Sequence, residues 1–498
     1  MKRHNWVHLR TGLCILAITA FASPLQAQFA EDALRFSQYG LGVGARSLGL
    51  GNTSIGAVND YSALFSNPGG LALIRDFEFS VGLSYHGYNN DVKFFGNELA
   101  SSRNFSNLNS LGLVYPIPTT RGSLTFAFAF GRVADFGTTA EFKGFNPSSS
   151  LILAKTPVTN LASLSINERK GLLDNNIPYQ LFLADTLNGK LVSHVNGNVQ
   201  QSVVVHEGGG LNHWSFGGAI DIAKDISFGA SLNIVSGSYT YERDYAEDDT
   251  RNFYQRLPGE SLGRFDHFSL VSTIDGELNG VNGLLGLMYR RPGKFHLGLT
   301  VRTPTTISVN ENYSDEARSR FDPNANGSVD RFDISFDGKT EYRVITPAMF
   351  GAGLSIQLRE WLMIAGDVEY ADWTQIEFNS SNPDLLAENR LIKRIFRPTT
   401  NLRGGVELSL WNHGIQLRGG VNWKPSPYEN DPPEYDQLYY TAGIGFQLDA
   451  HMTLNGAFAI GSWKTFRDNY SMTGLPSASR TAESVSTNNL NVTLTYRF

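Results

Sequence analysis

From about residue 77 to the C-terminus, apolar side chains recur at every second position. Leu124, Phe126, Phe128 and Phe130 alternate with Thr125, Ala127, Ala129 and Gly131. Ile226, Phe228, Ala230, Leu232 and Ile234 alternate with Ser227, Gly229, Ser231 and Asn233. Ile415, Leu417, Val421 and Trp423 oppose Gln416, Arg418, Asn422 and Lys424; Leu490, Val492, Leu494, Tyr496 and Phe498 oppose Asn491, Thr493, Thr495 and Arg497. Successive side chains of a strand point to opposite faces, so each segment predicts a strand with one apolar and one polar or small face. Alternation alone fits a soluble sandwich as well as a membrane barrel.

The connections separate the two. About fourteen strands begin near residues 77, 108, 122, 211, 226, 268, 294, 331, 361, 399, 414, 437, 451 and 487, an even number, as in bacterial barrels. Short links (Pro116–Arg121, Ala223–Asp225, Arg291–Gly293, Arg359–Glu360, Asn412–His413, Ala450) alternate with long ones at 87–107, 135–210, 244–266, 311–330, 379–398, 425–436 and 468–486. Short periplasmic turns and long external loops are the outer-membrane pattern. The polar faces carry Asp221, Asp367, Glu369, Arg403, Glu407, Arg418, Lys424 and Arg497. Of these, Arg403, Glu407 and Arg418 are candidate lumen residues, because a basic side chain facing lipid at mid-depth costs ~2–4 kcal/mol. The last strand must close on the first to leave no open edge in lipid. Its Leu494-x-Tyr496-x-Phe498 ending resembles the signal read by the barrel assembly machinery. The fold class read from the chain is therefore all-β: a transmembrane antiparallel barrel.

Composition sharpens this picture. Charged residues are 18% of the chain, below the roughly 25% usual for soluble domains. No later run of ~18 apolar residues predicts a membrane helix. Lys2, Arg3 and Arg10, the apolar stretch Leu13–Phe21 and the small residues near Ala27 read as a signal peptide over 1–27. Its removal takes three positive charges from a formal −6, leaving −9, which excludes a basic nucleic-acid surface. The one cysteine, Cys14, lies in that leader, so the mature chain has no disulfide or cysteine metal site.

Residues 28–76 are not strand-like. They hold Gln38-Tyr39-Gly40, the glycine-rich run Gly42–Gly51, and Asp60 to Leu73, which contains Asn67-Pro68-Gly69-Gly70. This opening resembles the N-terminal hatch of the FadL/TodX family, whose hallmark is an Asn-Pro-Ala-Gly-like turn; Gly69 stands where Ala is usual. The resemblance continues through Gly293–Leu299 to Arg302-Thr303-Pro304, through Asp367–Tyr370 with Asp372-Trp373, and through Leu417–Gly420 to Pro425–Pro427. It divides the chain into a leader (1–27), a hatch in the lumen (28–76) and a barrel (77–498). It implies passive uptake of fatty acids, hydrocarbons or similar lipids, by lateral release into the membrane and without cofactor or energy source. It also implies an apolar capture groove in the long external loops. The insertion 135–210 supplies candidates for that groove in Leu151, Leu153, Leu172, Leu173 and Phe182. The hatch turn is read as the gate between pocket and exit. Expected partners are the hydrophobic ligand, outer-membrane lipids and the assembly machinery, with the barrel a monomer. The same opening occurs in barrels serving protein secretion and surface attachment, which is the alternative reading.

Other motifs are weaker. The glycine run lacks the Gly-x-Gly-x-x-Gly spacing between strand and helix, and close packing of a plug explains it. His206-Glu207 and His213 lack the spacing of a zinc protease, and there is no Gly-x-Ser-x-Gly elbow, so no enzyme is expected. Asp322, Asn324, Asn326, Asp330 and Asp333 follow calcium-loop spacing with Gly327 at the turn position, which raises a structural calcium ion as a possibility.

Overall fold

The computed structural model describes residues 25–157, 160–255, 262–324, 326–410, 414–472 and 477–498. The leader up to residue 24, the Asn412–His413 link and Ala325 lie outside the described residues. The strands are β1 (Glu78–Phe94), β2 (Asn97–Ile117), β3 (Leu124–Asp135), β4 (Thr138–Asn146), β5 (Ala184–Leu187), β6 (Lys190–Ser193), β7 (Val199–Ala223), β8 (Ile226–Asp248), β9 (Phe265–Arg291) and β10 (Phe295–Arg302). They continue as β11 (Thr306–Phe321), β12 (Arg331–Ile345), β13 (Met349–Arg359), β14 (Leu362–Asp372), β15 (Glu377–Asn379), β16 (Pro398–Leu410), β17 (Ile415–Lys424), β18 (Gln437–Gln447), β19 (Met452–Asp468) and β20 (Arg480–Arg497).

Fourteen of these close an antiparallel ring. The last strand meets the first through Tyr496↔Phe79 and Leu494↔Val81, and Phe498 donates its N–H to the Phe77 carbonyl at 3.0 Å. This pairing leaves neither the first nor the last strand with a free edge. β10 and β11 both pair with β9, and β12 and β13 return beside them, so the four form one tall hairpin. It is kinked at Thr303-Pro304-Thr305, where proline has no N–H to give the ladder. Each fourteen-strand position corresponds to a strand read from the alternation.

The outward face carries the apolar set, including Leu83, Tyr115, Phe126, Phe216, Leu232, Leu299, Val421 and Val492. The opposite face is small and polar: Ser227, Ser231, Asn233, Asn422, Asn491 and Thr493 are buried inside.

Several expected loops are strands instead. The stretch 87–107 is the top of one hairpin turning at Phe95-Gly96, and 311–330 is strand as far as Phe321. At ~3.3 Å per residue the longer strands far exceed the ~25 Å apolar band, so their upper halves stand in water, where nothing demands an apolar outer face. The stretch 379–398 forms a helix, Pro383–Ile395, that packs on the N-terminal helix.

Inside, the N-terminal helix Leu25–Ser37 packs Ala33, Leu34 and Phe36 into a core shared with Leu385 and Ile392 of the helix Pro383–Ile395. Below it, residues Gly42 to Ile74 fold through short helical turns within the barrel. A separate core, with Phe94, Phe142, Leu151, Tyr245 and Phe268, caps the external strand extensions.

Candidate functional site

The hatch is seated from the Asn67 turn upward. Asn67 caps the 3-10 turn Pro68–Leu73: its Oδ1 accepts from Gly69 N at 3.1 Å. Its Nδ2 donates to Ile55 O at 2.8 Å and to Leu287 O of β9 at 3.2 Å. Ser227 of β8 donates to Gly69 O at 2.8 Å. A Cβ on wall residues Gly229, Gly286 or Gly298 would collide with Pro68, Asn67 or Ile55, so those three glycines form the socket. Asn67, Pro68, Gly69 and Gly70 are all buried. The sequence reading makes this turn a gate; the structure shows it hydrogen-bonded to β8 and β9 and packed into their glycines.

The lumen-facing charges hold the rest of the hatch. Glu407 accepts from Arg46 and from Arg418 Nε, the latter at 2.7 Å, and Arg418 also donates to Asn455. Asp367 accepts from the backbone N–H groups of Ser54 and Ile55 at 2.6 and 2.9 Å. Glu78 accepts from Tyr61 N at 3.0 Å and from Arg497. Arg302 donates to Phe65 O at 2.6 Å. Arg403 pairs instead with Glu369 at 2.7 Å on the wall. Glu407 and Arg418 are thus brought together, with Arg403 nearby but in a separate pair. The sequence reading missed Arg46; the signal was a lone arginine inside a close-packed glycine run, which needs a buried partner.

Above the hatch lies a cavity of about 400 Å³. Its walls include Leu34 and Tyr39 of the N-terminal segment, Phe105, Asp135 and Gly137. Smaller spaces of about 140 and 80 Å³ adjoin it.

On one side the barrel ladder is interrupted. The β2–β3 pairing stops at Ser110↔Gly131, and β3 is bulged between Arg132 and Ala134 where it pairs with β7. Above that level side chains take over from the ladder: Asn107 of β2 donates to Asp135 of β3 at 3.1 Å, His86 Nε2 of β1 lies 2.9 Å from the same Asp135, and Arg103 of β2 donates to Glu207 O of β7 at 2.6 Å. The Phe105 ring stacks on His86 and occupies the space a side chain at Gly137 would need. Leu108, Tyr85 and Trp214 are exposed near this level, so the interruption sits at the upper edge of the apolar band. Phe105 and Gly137 carried no signal in the sequence, because their role depends on where the ladder breaks.

Most of the candidate groove residues lie in small cores rather than on an open surface. Leu151 is buried in the external cap core with Ile152, with Leu153 beside it half-buried. Leu172 and Leu173 belong to a small satellite core with Leu161 and Leu191, and Phe182 alone is exposed, against Phe332 of β12. Apolar composition identified the residues; it does not say which face they cover. The cap is pinned by Glu247, whose Oε1 accepts from Leu151 N and Tyr245 OH, both at 2.7 Å, and from Gln201 at 2.8 Å. Burial pushes its carboxyl up to about 7.

The calcium-type spacing folds as a turn. Asp322 pairs with Arg264, Asn324 Oδ1 accepts from Asn326 N and Ser328 N, and Asn324 donates to Asp330. Asp333 is exposed on β12. Among the described residues no three acidic, histidine or cysteine side chains gather as a metal site.

A closed fourteen-strand barrel with a plugged lumen, an internal cavity and a break in its wall defines an outer-membrane transport barrel. Residues 212–498 match the family described as outer membrane protein transport protein (OMPP1/FadL/TodX), more than half of the chain. The chain belongs to that family, whose members are transport channels and not enzymes, and its place is the bacterial outer membrane. The crystal structure of the toluene transporter TodX of P. putida is similar in fold, with 18% identity, 92% of this chain and 99% of that one covered, and a TM-score of 0.55. A FadL homologue of Pseudomonas aeruginosa is similar at 12% identity, 92% and 98% coverage, and a TM-score of 0.56. No curated protein sequence matches.

Proposed function

We propose that this barrel takes up hydrophobic compounds passively, holding them in the lumen cavity and releasing them sideways between β2 and β3. The observation that carries the reading is the lining of the 400 Å³ cavity, which runs from the N-terminal helix to Phe105, Asp135 and Gly137 at the wall interruption. The cavity is larger than the ~150 Å³ that suffices for benzene in an apolar site, and among its mixed walls Leu34, Phe105, Phe136 and Trp463 offer apolar contact, so aromatic hydrocarbons of the kind named for TodX fit by size, as do fatty acids and similar lipids. The apolar strip of Phe182 and Phe332 is the external surface suited to first capture. Apolar solutes cross a polar lipopolysaccharide layer poorly, whereas a route from an apolar external surface through a protein cavity to the lipid needs no energy source. The chain reaches its membrane through a cleaved leader and the assembly machinery, and acts as a monomer.

The test is to purify the protein from outer membranes, extract it and identify bound small molecules by mass spectrometry. Uptake of labelled toluene and oleate is then compared between cells with and without it. Bound hydrophobic molecules and faster uptake are expected. An empty lumen with equal uptake overturns the proposal, and a protein that co-purifies in fixed ratio points to secretion or attachment instead.

A further inference from the structure

Tyr39 lies two residues past the end of the N-terminal helix and lines all three lumen spaces: the cavity of about 400 Å³, its neighbour of about 140 Å³, and the 80 Å³ space between hatch and wall. Its ring is held on several sides. The Arg302 guanidinium lies 4.7 Å from the ring centroid, His213 meets it edge-on at 5.5 Å, and Asn282 Nδ2 is 3.4 Å from its hydroxyl. Its backbone is held as well. Lys424 Nζ donates to Tyr39 O at 2.8 Å, and Gly40 N donates to Val133 O at 2.9 Å. An aromatic ring pinned by a cation, a second ring and two backbone contacts has little freedom to yield to a solute.

Below the ring, the 80 Å³ space has Ile55, Phe65, Leu284 and Met349 among its walls together with the charged Arg302, Glu369 and Arg403, so an apolar chain end entering it would rest on those four apolar side chains. It is smaller than the ~150 Å³ that admits benzene, and the ring stands at its mouth. We propose that Tyr39 is the floor of the solute cavity and the residue that sets how long a solute can be. The inference rests on the uptake reading above and adds to it the determinant of length. With the ring in place a solute ends at Tyr39; without it, the lower space joins the cavity and a longer chain can extend into it.

The experiment measures affinities of a series of n-alkylbenzenes, from toluene upward, for the full-length protein in lipid nanodiscs. Wild type should show an optimum chain length. Y39F keeps the ring and should keep that optimum. Y39L and Y39A should move it to longer chains, changing the long-to-short affinity ratio by about tenfold, the gain of burying roughly two further methylenes. A merely structural role would weaken all members alike and leave the optimum in place. Assembly is checked by heat-modifiable migration, and Y39L carries the comparison if Y39A does not assemble. An unshifted optimum in assembled Y39L overturns the role of Tyr39 while leaving the uptake reading standing. Wild type that binds no member of the series overturns the uptake reading, and this inference with it.

Discussion

The guanidinium of Arg46, on the hatch, lies fork to fork on the carboxylate of Glu407 in β16, with Nε–Oε2 at 3.0 Å and Nη2–Oε1 at 3.1 Å. The same carboxylate accepts from Arg418 of β17, so one wall acid serves one arginine on the plug and one on the barrel. Removing one partner of a buried pair costs ~3–5 kcal/mol, because the remaining charge is left covered and unpaired. Glu407→Ala leaves two such guanidinium groups and should loosen the hatch. The barrel should still assemble, since its ladders do not involve this side chain, but cells should admit a large polar antibiotic that wild type excludes. Arg46→Lys should give a milder leak, because an ammonium cannot make the fork. Equal antibiotic tolerance in all three strains would remove Glu407 from the seating of the plug.

Asn67 makes three hydrogen bonds, and its socket is built of wall glycines. Asn67→Ala should therefore unseat the turn, at ~1–3 kcal/mol for the buried carbonyls it leaves unpaired. Gly286→Ala should do the same from the wall side by collision. Both variants should show faster proteolysis within residues 42–74 and the same leak as Glu407→Ala. A pure gate would instead change uptake of hydrophobic solutes with no leak, so measuring both in one strain separates anchor from gate.

The external cap should respond to pH. Glu247 is held by three neutral donors, and the titratable groups facing it include Tyr245, on its own strand, Tyr470, from the last external loop, and Tyr254, from the loop after β8. Burial raises its folded pKa to about 7, above the unfolded value, so its contribution to cap stability is fully present at low pH and is lost as pH rises through about 7. Limited proteolysis across residues 146–157 should be slow at pH 5.5 and faster at pH 8.5. Glu247→Gln stays neutral and should abolish the difference. A pH response that persists in this variant would assign it to another group.

The membrane-embedded half of the fold was legible because lipid enforces strict alternation: Phe126 or Val492 cannot exchange faces with Thr125 or Asn491 without placing polar groups in hydrocarbon. Above the membrane that constraint lapses. Asn89, Asp91 and Lys93 alternate with Tyr88, Asn90 and Val92, which reads as a polar loop although it is strand. The hatch turn was legible through its Asn-Pro-Gly-Gly chemistry, yet not its socket, since Gly229, Gly286 and Gly298 look like ordinary small-face residues of three strands. Leu151 and Leu172 were visible as apolar but not as members of two different cores. Tyr39, Phe105 and Gly137 act through positions that exist only once the ring is closed.

The wall interruption yields the last prediction. Phe105 and Gly137 both line the lumen cavity at the interruption, and Phe105 is stacked on His86 with ring centroids 5.3 Å apart. A Cβ at position 137 would strike that ring. If solute leaves here, the ring must move into the cavity or outward toward lipid, and Gly137 is the clearance that lets it. Gly137→Val should wedge the ring and slow uptake of labelled toluene while binding in the lumen is kept. Phe105→Ala should remove the obstruction and speed uptake at least as far as capture allows. The two changes lie on one side of the barrel, away from the Asn67 socket, so neither should cause the antibiotic leak expected of a loosened hatch. Opposite shifts in uptake with unchanged leak would mark this side as the exit. If both variants transport like wild type, solute leaves by another path, and the passage below Tyr39 becomes the place to look.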